Sequence, residues 1–279
     1  MLLLATNEDF GLRQIECACG KSERNFREAA PYPHIQIDDF LEPEAIGALY
    51  REYAESDEWL SYNHYNEKKS GLTRLEAMGP GTQKIIRELS SLEFLAFLEK
   101  LTGIDGLIAD PDLDGGGLHR ILPGGYLNVH ADFQSHTNRR NWSRQINLLL
   151  YLNRDWQDEW EGFLELWEPD MSAATVRIRP DYNKCVLFHT TADSLHGHPT
   201  PLKCPPSESR KSLALYYFRD EGKTLKLQPT NYMSRPEDTP VKRLLIRLDK
   251  SLVWAYSALK RYTPLGDSVM SRVLKRFSR

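Results

Sequence analysis

From about residue 106 the chain changes texture, and that change limits the folds open to it. Short apolar runs there alternate with clusters of Gly, Pro, Asn and Asp, as in an all-β sandwich. Strands are expected at 117–122, 126–132, 144–152, 163–168, 174–179, 184–189 and 211–219. Two loops break the series: 133–143, rich in His, Arg and Asn, and 198–210, with Pro199, Pro201, Pro205 and Pro206. Upstream, residues 34–41 alternate like a strand entering a turn, and Glu42-Pro43-Glu44-Ala45 opens a helix with Pro in its first turn. Residues 82–102 read as one or two helices, and helix returns from about 238, with a second short one over 267–277. The expected class is mainly β with flanking helices (α+β). Its expected parts are an N-terminal arm and helical support over 1–105, a β core over 106–222, and a C-terminal linker with basic amphipathic helices over 223–279.

Within the β core, His130-Ala131-Asp132 puts an imidazole and a carboxylate two positions apart, on one face of a strand. His196 follows from a distant strand, and Arg210-Lys211-Ser212 opens the next. Two imidazoles and one carboxylate can hold iron(II) on one side and leave the other side open. An inward Arg210 is costly to bury without an anionic partner, and a dicarboxylate cosubstrate would supply one. The plainer readings are a surface His130, a turn Asp132 and an ordinary salt bridge for Arg210. His198 competes with His196, which is favoured because Pro199 should end the strand just after His198. His136 and His189 read as loop and core histidines.

Bulk properties narrow the class. The net charge of −3 gives no global sign of nucleic-acid binding. The charge is uneven, however: from Lys242 to Arg279 ten Lys/Arg meet two Asp, which leaves −11 on the rest. The C-terminal helix carries Val241, Leu244, Leu245, Leu248, Leu252 and Leu259 on one stripe. Packing on the core, dimerisation and peripheral contact with anionic lipid all fit it. Four cysteines in 279 residues are no disulfide framework, and Cys17-Ala18-Cys19 lacks the second pair a zinc site needs. The run Met1-Leu2-Leu3-Leu4 is too short for a signal peptide, and no stretch reaches the ~18 apolar residues of a span. A reducing cytoplasm is the expected compartment, with the inner face of a membrane as an alternative station for the basic tail.

The stretch from about 116 to 219 resembles the 2-oxoglutarate and iron(II)-dependent oxygenases, in particular their prolyl 4-hydroxylase-like group. The likeness is carried by Leu122 through Asp132, Gln145 through Trp156, Gly162 through Trp167, Leu187-Phe188 before His196, and Arg210-Lys211-Ser212. The resemblance implies a double-stranded β-helix, a distorted jelly roll of cupin type. It makes His130, Asp132 and His196 the iron ligands and Arg210 the partner of the distal carboxylate of 2-oxoglutarate. Tyr151 matches a position that touches the same carboxylate, and Ser212 is a further cosubstrate-site candidate. Many relatives carry a Tyr where Ile121 stands here, and Tyr126 is the candidate replacement. The reaction implied is hydroxylation of an unactivated C–H with O2, coupled to decarboxylation of 2-oxoglutarate to succinate and CO2, with ascorbate as activator. The substrate is expected to be a peptidyl, prolyl-type residue or a small metabolite or glycan. The 133–143 loop, with His136, Arg139, Arg140 and Trp142, favours something anionic or sugar-like. A non-oxidative metal-binding, cupin-like recognition protein or a pseudoenzyme is the alternative.

Overall fold

The computed structural model describes residues 19–262. The elements run in chain order as α1 (Cys19–Arg27), β1 (His34–Ile37), α2 (Pro43–Glu55), β2 (Leu60–His64), β3 (Glu67–Leu72), α3 (Pro80–Glu88), α4 (Leu92–Thr102) and β4 (Leu107–Ala109). They continue as β5 (Gly117–Ile121), β6 (Tyr126–Ala131), β7 (Trp142–Tyr151), β8 (Leu164–Trp167), β9 (Ala174–Ile178), β10 (Cys185–His189) and β11 (Leu195–His198). The last are β12 (Arg210–Asp220), β13 (Asn231–Tyr232) and α5 (Pro240–Tyr262). The strands join in one curled antiparallel sheet in the order β1-β10-β7-β12-β5-β3-β6-β11-β8-β9, with β2 on β3, β4 on β12 and β13 on β6. This is the distorted jelly roll that the family resemblance implies, and it draws strands from before residue 106 and after residue 222.

Strand alternation explains how the sheet serves two interiors. Side chains on a strand point alternately to its two faces. On β7, Ile146, Leu148 and Leu150 meet the helices, as do Leu213 and Leu215 on β12 and Cys185 and Leu187 on β10. They share one core with Leu49 of α2, Ile85 and Ile86 of α3, and Phe94 and Leu98 of α4. The residues between them, Tyr151, Val186 and Phe188, turn into the roll with Leu164 and Leu166. That is why Gln145 to Leu152 reads as nearly unbroken apolar sequence: both faces are covered.

The helices have local causes. Ser91 caps α4 by accepting the Phe94 N–H at 3.2 Å, and Gly103 ends it at φ 72°. Glu52 of α2 accepts the N–H groups of Gly81 and Thr82 at 2.8 and 2.7 Å, which fixes the start of α3 on α2. The expected helix over 267–277 and Cys17 lie outside the described residues. Within the expected arm, Phe26 of α1 enters the main core.

Candidate metal centre

Strand pairing brings the metal trio together. His196 of β11 stands directly opposite His130 of β6 in the antiparallel ladder. Asp132 follows immediately after β6, so its carboxylate reaches both rings. Its Oδ1 lies 3.5 Å from Nε2 of His130, and its Oδ2 lies 3.4 Å from Nε2 of His196. One ligand atom from each residue falls within 4.8 Å of the others. Gly197 makes the close approach possible, because a Cβ there would sit 2.9 Å from the carbonyl oxygen of Leu127 and 3.0 Å from that of Asn128.

Backbone carbonyls orient both rings. Nδ1 of His130 lies 2.9 Å from the carbonyl oxygen of Asn128, and Nδ1 of His196 lies 3.0 Å from that of Ser194. Those carbonyls accept only from Nδ1–H, so the lone pair of each ring sits on Nε2, facing Asp132. Burial pulls the pKa of His196 down to about 4 against the upward pull of Asp132, which keeps the ring neutral. Burial alone would raise Asp132, but Arg144, His196 and His130 outweigh it and hold the carboxyl well below its usual range. Asn147 donates Nδ2–H to Asp132 Oδ2 at 2.6 Å, and the Arg144 guanidinium lies 3.1 Å from the same oxygen. An anionic carboxylate and two imidazoles that turn Nε2 toward it suit a divalent iron site.

A second station lies at the start of β12. Arg210 is buried, donates Nε–H to the carbonyl of Gly162 at 2.7 Å, and reaches the Tyr151 hydroxyl with Nη2 at 3.1 Å. No carboxylate pairs with it among the described residues, so the salt bridge that would have explained it away is absent. Its charge still calls for an anion. Gly162 is required by its φ of 78° and by space: a Cβ there would lie 2.6 Å from Leu202 and 3.2 Å from Arg210. Ser212 is buried one pleat further along β12, opposite Tyr151 of β7 and His119 of β5.

His198 has no place in the metal trio. Its ring is buried, with both nitrogens unpartnered. Burial first, then Arg210, Lys69 and His130, push it well below the usual imidazole range, so it is neutral. Tyr126 donates its hydroxyl to the Tyr65 carbonyl at 2.9 Å and lines a cavity of about 260 Å³ with Tyr65, Asn128, Pro199, Thr200, Pro201, Arg235 and Lys242. That lining contains neither the trio nor Arg210 and Tyr151.

The basic loop is used internally. His136 is fully buried, with Nε2 3.1 Å from Asp110, and Arg139 pairs with Asp112 while stacking on Trp142. The second acidic–histidine cluster, Asp110, Asp112 and His136, is thereby engaged by Arg139. Arg144, at the end of that stretch, is the one whose guanidinium reaches the metal trio. Its guanidinium carbon lies 3.3 Å from the centroid of the Tyr216 ring and 4.6 Å from that of Phe133. Asn147 is a site residue that the sequence reading missed, although an amide inside an otherwise apolar strand is a visible signal.

Comparison with known proteins agrees with this geometry. A profile of the 2OG-Fe(II) oxygenase superfamily matches residues 116–218. A prolyl hydroxylase from Trichoplax adhaerens, in complex with a hypoxia inducible factor peptide fragment, superposes with a TM-score of 0.52 at 17% identity, covering 74% of this chain and 90% of that one. A Pseudomonas putida prolyl-4-hydroxylase gives 0.51 at 16% identity, covering 72% of this chain and 98% of that one. At those identities the likeness is one of fold. No curated protein sequence matches the chain significantly. The stretch 116–218 thus matches the 2OG-Fe(II) oxygenase profile, contains the His-Asp-His cluster, and lies in a chain with the fold of the prolyl hydroxylases.

Proposed function

We propose that His130, Asp132 and His196 hold the iron, that Arg210 and Tyr151 anchor the distal carboxylate of 2-oxoglutarate, and that the substrate is a peptide hydroxylated on a prolyl-type residue. Iron(II) with 2-oxoglutarate and O2 supplies the oxidation, releasing succinate and CO2 as one oxygen atom enters the substrate C–H bond. The protein contributes position. Backbone carbonyls fix both imidazoles, while Asn147 and Arg144 fix the carboxylate. The observation that carries this reading is the buried Arg210, without an acidic partner, joined to the Tyr151 hydroxyl on the same wall of the roll. A metal-binding recognition protein would have no use for that anchor.

Two unpartnered groups complete the fit. His198, neutral and flanked electrostatically by Arg210, has a ring N–H for the cosubstrate carboxylate. Arg144 has a buried Nη1 without a partner, beside Asp132 and between the rings of Phe133 and Tyr216. A peptide carbonyl of the substrate suits that donor, and the adjoining rings suit a prolyl ring. The peptide bound to the Trichoplax enzyme supports this choice over a metabolite or glycan. Neither self-association nor membrane contact is needed for this chemistry.

The test is succinate release and O2 uptake by the purified protein with iron(II), 2-oxoglutarate and ascorbate, over panels of prolyl peptides, sugars and small acids. Stimulation by peptides, with one oxygen added to proline, supports the proposal. Stimulation by sugars or small acids alone would overturn the substrate assignment and keep the reaction.

A further inference from the structure

An amphipathic helix at the edge of a domain normally turns its apolar stripe toward the core. Helix α5 does the reverse. Its buried residues are Ile246 and Asp249, while Val241, Leu244, Leu248 and Leu252 are 67%, 57%, 55% and 61% exposed. They recur every three or four residues, so they form one continuous outward stripe. Trp254 is also exposed. Lone exposed leucines are ordinary, but an ordered row of them on a long helix marks a contact surface.

The charges around the stripe identify what covers it. The acidic residue of α5, Asp249, is buried, with Oδ2 2.7 Å from Nδ1 of His64. Arg243 and Arg247 are exposed on the same helix, and across residues 240–279 the balance is +8 against −11 for the remainder. A second copy meeting this face stripe to stripe would bring like charges together along both seams, with no acidic residue to pair them. A spanning role is also ruled out for it, because no described helix is long and apolar enough to cross a membrane. A surface apolar at depth and negative at its headgroups satisfies both features, and an exposed Trp beside basic residues suits the interface between them.

We propose that the outward face of α5 docks the enzyme on an anionic lipid surface, with Leu244, Leu248 and Leu252 inserted among the acyl chains and Arg243 and Arg247 on the headgroups. The docked helix is not a loose tether. Asn66 donates to Asp249, Asn128 donates to Asn66 at 3.0 Å, and the Asn128 carbonyl holds the His130 ring. The metal centre therefore keeps one orientation to the docked helix and acts on substrates presented at the bilayer.

Flotation of the full chain with phosphatidylcholine vesicles, alone or mixed with phosphatidylglycerol, tests the proposal. Flotation with the mixed vesicles at low salt, its loss at high salt, and at least a tenfold weakening in the Leu244→Ser/Leu248→Ser variant are expected. An Arg243→Glu/Arg247→Glu variant should lose the preference for phosphatidylglycerol. All four side chains are exposed, so both variants should keep the wild-type melting temperature and their turnover in solution. Absence of binding, equal binding to neutral vesicles, or undiminished binding by the serine variant would overturn the proposal. So would a concentration-dependent dimer that the serine substitutions abolish in a protein that ignores vesicles.

Discussion

His130 and His196 face one another across the β6–β11 ladder with ring centroids 4.5 Å apart, although sixty-five positions separate them in sequence. Register alone sets that relation. A slip of one residue would turn His196 to the opposite face of the sheet and break the centre. Gly197 protects the register by letting the backbones approach. Gly197→Ala should therefore weaken iron(II) binding, measured by competition with a chelator, while a direct substitution of either histidine should abolish it.

Asn147 holds the carboxylate of Asp132, a ligand in the proposed site. Its amide donates to Asp132, and its own oxygen accepts from Arg144 Nε at 2.7 Å and from Thr190 at 3.1 Å. Asn147→Leu removes all three links without emptying the space. Metal affinity should fall by about 10–100-fold, the range for losing a partner of a ligating group. Titration with manganese(II), read by electron paramagnetic resonance, measures it. An unchanged affinity would deny Asn147 this role.

The cosubstrate wall offers a graded series. Tyr151→Phe removes one hydrogen bond to a charged group, worth about 1.5–3 kcal/mol, so the KM for 2-oxoglutarate should rise at least about tenfold with kcat less affected. Arg210→Ala should abolish saturation by 2-oxoglutarate. His198→Val should weaken 2-oxoglutarate binding to the manganese-loaded protein in calorimetry. A wild-type dissociation constant in that variant would remove His198 from the site.

Much of this was legible in the sequence, for physical reasons. The strands at 144–152 and 184–189 were visible because burial on both faces leaves apolar runs between turn residues, and β7 and β10 lie there. The hairpin of β2 and β3 was not visible. Its residues are largely polar, and Lys69 pairs with Glu67 at 3.0 Å where an apolar strand would show alternation. In α5 the period announced an amphipathic helix but could not say which face meets the body. The Asp249–His64 contact decides that, and nothing local in the sequence reports it. Arg144 stood at the start of the expected strand 144–152, but β7 begins at Trp142, and only the fold shows that this guanidinium reaches Asp132.

The same contact gives a pH dependence. Burial would lower His64, but Asp249 and Glu67 together raise it to about 9. A pKa raised on folding stabilises fully below the unfolded value, about 6.5, and the contribution fades as pH rises through about 9. The melting temperature of the wild type should thus fall relative to His64→Gln between about pH 6.5 and 9. Equal slopes for the two proteins would mean that His64 is not the charged link between α5 and the β2–β3 hairpin.

In the proposed site one ferrous ion is held by His130, Asp132 and His196 with 2-oxoglutarate beside it. The most direct measurement is anaerobic titration of the protein with iron(II) and 2-oxoglutarate, following the visible charge-transfer absorption that arises when the keto acid chelates ferrous iron. This band should saturate at one iron per chain, be lost in His196→Ala and need far more 2-oxoglutarate in Arg210→Ala. A wild-type protein without the band, or a band indifferent to both substitutions, would contradict it.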